Sequence, residues 1–459
     1  MIKTRLVLMI SSFLLIALVS VTTAQLQVQR ARDPGPRGGP AGAGGPLPGL
    51  TGTQHAFFEV GLEDFSEAEG VGEGLGPRFN LDGCLGCHSQ PAAGGSSPAV
   101  NPQVAVATAF GARNTVPFFV KPDGPVREAR MKYKSDGSRD GGVHALFVIS
   151  GRVDPSGNAS RCNITQPDFA AAARTNNLIF RIPTPVFGAG LIEQIPDSAI
   201  VASQTANSAR KSSLGIRGRV HRFPVNGSVN INGNDGTVSR FGWKAQNQSL
   251  LLFSGEAYNV EMGISNELFQ SERDPNCQYS TTPNDVTDTD ARATIEGVSA
   301  VEKFAFFMRF LAPPTPSTSV PGGSESIRAG RELFQSVGCA LCHTPSYTTG
   351  NSTVAALRNK PVNLYSDLLL HNMGPGLADD IIQGQAGPDE FRTAPLWGLG
   401  KRLFFLHDGR TSDLVDAIQA HASDGNSRFR ASEANGTIGA YNRLSEQQKQ
   451  HLLNFLRSL

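Results

Sequence analysis

The 459-residue sequence predicts a mainly α, loop-rich protein built from two like domains, and three observations carry that reading. The pattern C-x-x-C-H occurs twice, at Cys84-Cys87-His88 and at Cys339-Cys342-His343. The second copy is flanked by segments of helical periodicity. With 50 glycines and 29 prolines the chain is loop-rich for its length, so its cores need something besides side chains to fill them.

Taken in order, residues 1–24 read as a secretory signal peptide. Lys3 and Arg5 precede an apolar run from Leu6 to Val21, and Thr22 and Ala24 are small residues before Gln25. The run falls short of the roughly 20 apolar residues a membrane span needs, which disfavours an uncleaved anchor. The expected location is therefore periplasmic or otherwise exported, with no membrane span after cleavage. A net charge of +1 disfavours nucleic acid as a partner. Outside the two C-x-x-C-H units only Cys162 and Cys277 remain, and in an exported protein such a pair is expected to form a disulfide.

C-x-x-C-H is an attachment signal for covalent haem: the thiols bond the haem vinyl groups and the adjacent imidazole ligates iron. Structural zinc wants four ligands in paired clusters, whereas each unit here offers three. A redox C-x-x-C needs no histidine. Two covalently bound haem c groups are expected, with Cys84, Cys87, His88, Cys339, Cys342 and His343 as the binding residues.

Residues 25–53 form a Pro/Gly-rich leader expected to be flexible. An N-terminal haem domain is expected over 54–312, ending in an apolar helix within "IEGVSAVEKFAFFMRFL". It is too long for a bare cytochrome. Its middle alternates apolar and polar residues around Asn234-Asp235-Gly236, which predicts a β-hairpin insertion. A linker at 313–323 leads to the C-terminal domain, 324–459. There Ile327, Leu333, Phe334 and Val337 predict a helix before the cysteines. Ser445 with Gln448 predicts a capping box on a closing helix whose apolar face is Leu452, Leu453, Phe455 and Leu456. A helix, C-x-x-C-H and a closing helix look like a class I cytochrome c domain. "FRIPTPVFGAG" (180–190) and "FRTAPLWGLG" (391–400) form a weak internal repeat, one after each C-x-x-C-H.

Together with "LGPRFNLDGCLGCH", "RFGWKA", "DLLLHNMGPGLAD" and "RTAPLWGLGKRLFFLHDGRTSDLVDAIQAH", these segments resemble the bacterial di-haem oxidoreductases, relatives of the di-haem cytochrome c peroxidases also called thiol oxidoreductases. The resemblance implies peroxide reduction, or a related oxidation at haem iron, at the N-terminal haem, with electrons relayed by the C-terminal one. It implies a small soluble redox protein of cytochrome c or cupredoxin type as electron partner, and it allows a calcium ion between domains. It marks Glu261 in "NVEMG" as the distal acid and Trp243 as an electron relay, with Glu193 in "GLIEQIP" a rival acid. Trp243 stands in "RFGWKA" where the family has Trp-Asp-Gly-Arg.

Residues 89–143 contain no histidine, so the first iron is expected to be open or loosely ligated; His55, His144, His221, Met131 and Met262 form the remaining pool. For the second iron the expected further ligand is His421. Leu414, Ala417, Ile418 and His421 share one helical face, behind Ser412 as cap, and the relatives place an axial methionine fourteen residues after the histidine matching His407. Met373 is the alternative. The rival functions are a non-enzymatic electron carrier and an oxidase of residues on a partner protein.

Overall fold

The computed structural model describes residues 30–459 apart from 108–113, 150–152, 155–156, 159–161, 223–237, 275–276, 279–281 and 291–294. The fold is helix-rich with several small sheets. The helices that position the site are α1 (Gly52–Ser66), α2 (Ala189–Glu193), α3 (Leu250–Met262), α4 (Ala300–Phe310), α5 (Gly323–Val337), α6 (Leu414–Gln419) and α7 (Glu446–Ser458). Strands β1 (Glu128–Met131), β2 (Val143–His144) and β3 (Leu178–Arg181) form an antiparallel sheet in the order β2-β1-β3. Strands β4 (His221–Arg222) and β5 (Val238–Ser239) pair antiparallel, as do β6 (Leu370–Asn372) and β7 (Glu390–Arg392).

Two helix pairs are built alike. In the first, α1 begins with Thr51 and Gln54 capping each other and buries Phe58, Gly61 and Phe65 against α4. In the second, α5 buries Ile327, Gly330, Phe334 and Val337 against α7, whose start is the expected Ser445/Gln448 capping box. Only glycine allows either approach. A Cβ on Gly61 would lie 2.3 Å from the Lys303 carbonyl oxygen, and one on Gly330 would lie 2.0 Å from that of His451. Four residues beyond each glycine sits a phenylalanine. Phe65 packs on Phe307 at 4.7 Å and faces His88 at 6.0 Å; Phe334 packs on Phe455 at 5.4 Å and faces His343 at 6.3 Å. Burying each such side chain contributes about 1.5–3 kcal/mol.

The repeat at 180–190 and 391–400 follows the same succession. Each copy is a strand carrying Phe-Arg, then a glycine in left-handed conformation (Gly188, φ 62°; Gly398, φ 77°), then a short helical turn. Each turn packs on the closing helix of its pair: a Cβ on Gly190 would strike the Arg309 carbonyl, and one on Gly400 that of Arg457.

Two apolar cores result. The first gathers Phe58, Phe65, Phe79, Phe147, Leu250, Phe304 and Phe307; the second gathers Phe334, Phe405, Leu414, Leu453 and Phe455. Leu357, Val362, Leu364, Leu368 and Leu369 belong to the first core although they follow the second C-x-x-C-H in sequence. Cys162 and Cys277 are joined by a disulfide. Pairing of β4 with β5 shows the base of the expected hairpin; its Asn-Asp-Gly turn lies outside the described residues, as does the expected signal peptide.

The Pro/Gly-rich segment expected to be flexible is laid against the body from residue 30 onward. Asp33 takes a bidentate ion pair from Arg457, Arg37 donates its amide to Gly400, Lys401 caps the Gly38 and Gly39 carbonyls, and Leu47 donates to Phe310. The strap thus runs from α7 to α4. A glycine-rich chain is held because backbone hydrogen bonds and the Asp33–Arg457 ion pair, with Leu47 buried in the first core, provide the contacts.

Candidate functional site

Each C-x-x-C-H opens onto a cavity. The first, of about 560 Å³, is lined by Cys84, Cys87 and His88 together with Trp243, Tyr258 and Glu261. The second, of about 210 Å³, is lined by Cys339, Cys342, His343, His407 and His421.

The four thiols are free of disulfides. Burial pushes Cys84 up to about 12 and Cys87 well above its usual range, and Cys339 likewise to about 12. Such thiols are not the exposed, low-pKa thiolates of redox chemistry. The histidines are oriented for ligation. His88 donates Nδ1–H to the Gly95 carbonyl at 3.0 Å, His343 to that of Tyr365 at 3.0 Å, and His421 to that of Ala417 at 2.7 Å. A carbonyl only accepts, so each Nδ1 holds the proton and Nε2 keeps its lone pair. Burial lowers His88 and His343 to about 4 and lowers His421 too, so all three are neutral at physiological pH.

Both cavities suit a large apolar group with acidic substituents. The second is walled by Phe334, Leu377, Leu399, Leu406 and Leu452, yet Arg392 and Arg402 also line it, each lowered by burial to about 10. Arg402 Nε, Thr437 Oγ1 and Tyr441 Oη are buried there without hydrogen-bond partners. The first cavity is lined by Arg127, Arg130, Arg181 and Arg273, and Arg181 Nε is likewise unsatisfied. Haem, with its apolar macrocycle and two carboxylates, would supply what these walls lack.

Glu261 lies one residue from the end of α3, in the wall of the first cavity. Asn80 Nδ2 donates to its carboxyl at 2.8 Å. Burial and the neighbouring negative Glu128 push Glu261 well above the carboxylate range. Burial opposes ionisation of Glu128 too, but the Arg130 guanidinium 2.6 Å away holds it low. Glu128 is therefore the ionised partner and Glu261 keeps a proton.

Glu193 is placed elsewhere. It lines neither cavity, and its carboxylate pairs with Arg309 at 2.8 Å and accepts from the Leu250 amide at the start of α3. Its apolar sequence setting reflects a helix junction, so the geometry does not bring it to the site. Trp243 lines both cavities; its Nε1 donates to the Ile182 carbonyl at 2.9 Å and its ring meets His407 edge-on at 6.4 Å.

Of the pool for the first iron, Met262 lines the cavity. His55, His144, His221 and Met131 do not. His55 pairs with Glu59 on the surface, His144 with Asp140, and His221 is satisfied by the Lys244 carbonyl and the Gln385 amide. His88 is the one imidazole among the described residues lining that cavity. Met308 also lines it and was missed, though it lies on the apolar face of α4, four residues after Phe304. The Asn80–Glu261–Glu128–Arg130 chain was missed as well, because its members are far apart in sequence. In the second cavity, His421 and Met373 both line the wall. The cap of α6 is Asp413, not Ser412, and the helix stops just before His421.

A family model described as "Di-haem oxidoreductase, putative peroxidase" matches residues 145–459, over two thirds of the chain. The chain belongs to that family. The first C-x-x-C-H of this di-haem oxidoreductase lies upstream of the matched residues. No curated protein matches it. Solved structures similar to it include hydrazine synthase of Kuenenia stuttgartiensis, with 15% identity over 61% of this chain and 73% of the other and a TM-score of 0.31. A di-haem peroxidase variant of Burkholderia thailandensis shows 14% identity over 72% and 94%, with a TM-score of 0.27. A MauG-like protein associated with microbial copper homeostasis shows 19% identity over 35% and 52%, with a TM-score of 0.23. As a family member, this di-haem oxidoreductase uses haem for redox chemistry. Among its described residues no helix is long and apolar enough to cross a membrane.

Proposed function

We propose that this di-haem oxidoreductase reduces peroxide in the first cavity, with electrons relayed through the second. The observation that carries the reading is Glu261: a carboxyl in the cavity wall, pushed well above the carboxylate range by burial and by Glu128, that shares the cavity with His88, where no other described residue offers an imidazole. In this reading Cys84 and Cys87 hold one haem covalently and Cys339 and Cys342 the other, with His88 and His343 as proximal ligands. The chain then comprises two class I cytochrome c-like domains, 54–312 and 324–459, the first enlarged by the hairpin-containing insertion. When bound, the haems supply an open iron position for peroxide and a store for electrons.

The chain's own residues do the rest. Glu261, hydrogen-bonded by Asn80, moves the proton that O–O cleavage requires, and Glu128 with Arg130 sets its protonation. Reduction of peroxide to two waters consumes two electrons and two protons. His421, in the wall of the second cavity, would hold the second iron there and suit it to electron transfer, and Trp243, which lines both cavities, would offer the path between them. The electrons come from a small soluble redox protein. Export, with cleavage after residue 24, belongs to the same proposal. So does a calcium ion between the domains, although the one ligand cluster found among the described residues, Cys342 with Asp367 and His371, is not an oxygen set suited to it.

The test is peroxide-dependent oxidation of reduced cytochrome c or cupredoxin by the holoprotein, beside the optical spectrum of its oxidised form. Turnover with mixed high-spin and low-spin bands supports the reading. Two low-spin haems and no turnover identify an electron carrier instead. Trp243→Phe should slow reduction of the first haem by the second while leaving both spectra unchanged.

A further inference from the structure

Tyr258 lines the first cavity one helical turn before Glu261, yet its hydroxyl is engaged on the other side. It donates at 2.7 Å to Glu69, a buried carboxylate that does not line the cavity. Phe304 supports the ring edge-on at 5.1 Å. The phenol therefore stands between the haem space and a dedicated oxygen acceptor behind it. We propose that Tyr258 is a redox-active tyrosine, delivering an electron into the first cavity while its phenolic proton passes to Glu69.

A phenol needing only a hydrogen bond is satisfied by a carbonyl or an amide, without a buried charge. Glu69 instead sits behind the wall with Glu67, Glu73 and Asp64 nearby. Burial foremost, and then those acids against the Tyr258 hydrogen bond, raise it to about 7. Tyr258 is itself held well above its usual value, by burial first and then by the charge of Glu69. The phenol thus keeps its proton until an electron leaves, and a base capable of taking that proton is already in contact.

The step balances. One electron goes from the phenol to the first-cavity haem after peroxide has oxidised it. The O–H bond breaks, its proton forms the Glu69 carboxylic acid, and a neutral tyrosyl radical remains. An electron from the second cavity and the same proton restore the phenol. The inference rests on the peroxide reading for its oxidant, so the experiment uses a second oxidant as well.

Holoprotein is treated with hydrogen peroxide and, separately, by flash-quench photo-oxidation with a ruthenium tris-bipyridine sensitiser, followed by freezing for electron paramagnetic resonance. The expected result is a tyrosyl radical under both oxidants, narrowed by ring-deuterated tyrosine and lost in Tyr258→Phe. Glu69→Gln, which keeps the phenol and removes the base, should reduce the yield about tenfold or more. A radical that persists in Tyr258→Phe, or no tyrosyl radical in the unsubstituted protein under flash-quench, overturns the proposal. A haem spectrum that answers peroxide without any tyrosyl signal under either oxidant sinks this inference and spares the peroxide reading. A flash-quench radical with a haem inert to peroxide does the reverse.

Discussion

Glu433 holds its carboxylate 2.8 Å from Nδ1 of the buried His371, in the wall of the second cavity and at the floor of an arginine-lined surface pocket. Burial opposes its charge, but the His371 hydrogen bond and charge hold Glu433 down to about 2. A carboxyl with a depressed folded value adds stability above its unfolded value of about 4.3, lost as pH falls through the folded value. The thermal midpoint of the holoprotein should therefore fall as pH drops from about 4.5 to about 2. Glu433→Gln should cost about 2 kcal/mol at neutral pH and flatten that acid slope. An unchanged slope in the variant, read by calorimetry, would show that the pair is not the source.

Covalent attachment is tested by stoichiometry. Cys339→Ala with Cys342→Ala should halve the haem per chain in a pyridine haemochrome assay, and the remaining haem should stay on the chain in a denaturing gel. Two retained haems would exclude attachment at that pair.

Glu261 and Glu193 separate chemistry from architecture. Glu261→Gln should cut peroxide turnover by about 10²–10⁴-fold. Glu193→Gln should leave turnover within a few-fold, yet destabilise the fold by about 1–3 kcal/mol through the lost Arg309 and Leu250 contacts. If Glu193→Gln proved the slow variant, the assignment would be inverted.

His421 is tested at the iron. The unsubstituted protein should show a low-spin bis-histidine resonance, and His421→Gly should abolish it. Met/His ligation raises haem potential, so His421→Met should raise the potential of the second haem in a redox titration. Survival of the low-spin signal in His421→Gly points to Met373 or another donor.

The close helix approaches predict stability losses of their own. Gly61→Ala and Gly330→Ala each force a methyl against a carbonyl and should cost about 1–3 kcal/mol or more. Gly52→Ala, whose added methyl meets nothing within 4 Å, is the control and should leave the thermal midpoint unchanged.

What the sequence made legible was local. The Ser445/Gln448 capping box, the helix before Cys339, the apolar helix at Ala300–Phe310 and the hairpin base all rest on neighbours within a turn or two. His421 reached its cavity although the cap was assigned one residue early. Long-range partners were not legible. Glu193 looked catalytic because an acid among apolar residues reads the same whether it faces a cavity or Arg309. The likeness of α1 to α5 was hidden because Phe65 and Cys84 are separated by far more chain than Phe334 and Cys339. The strap looked mobile because its composition has no apolar pattern, while its anchors, Gly400 and Arg457, lie hundreds of residues away.

That strap sets an order of events. A ribosome makes Asp33 more than four hundred residues before Arg457, so the fastening that joins them is among the last to become available. Until then the second helix pair lacks its closing member. The segment works as a clasp: it can fasten only on a chain whose synthesis has run to α7.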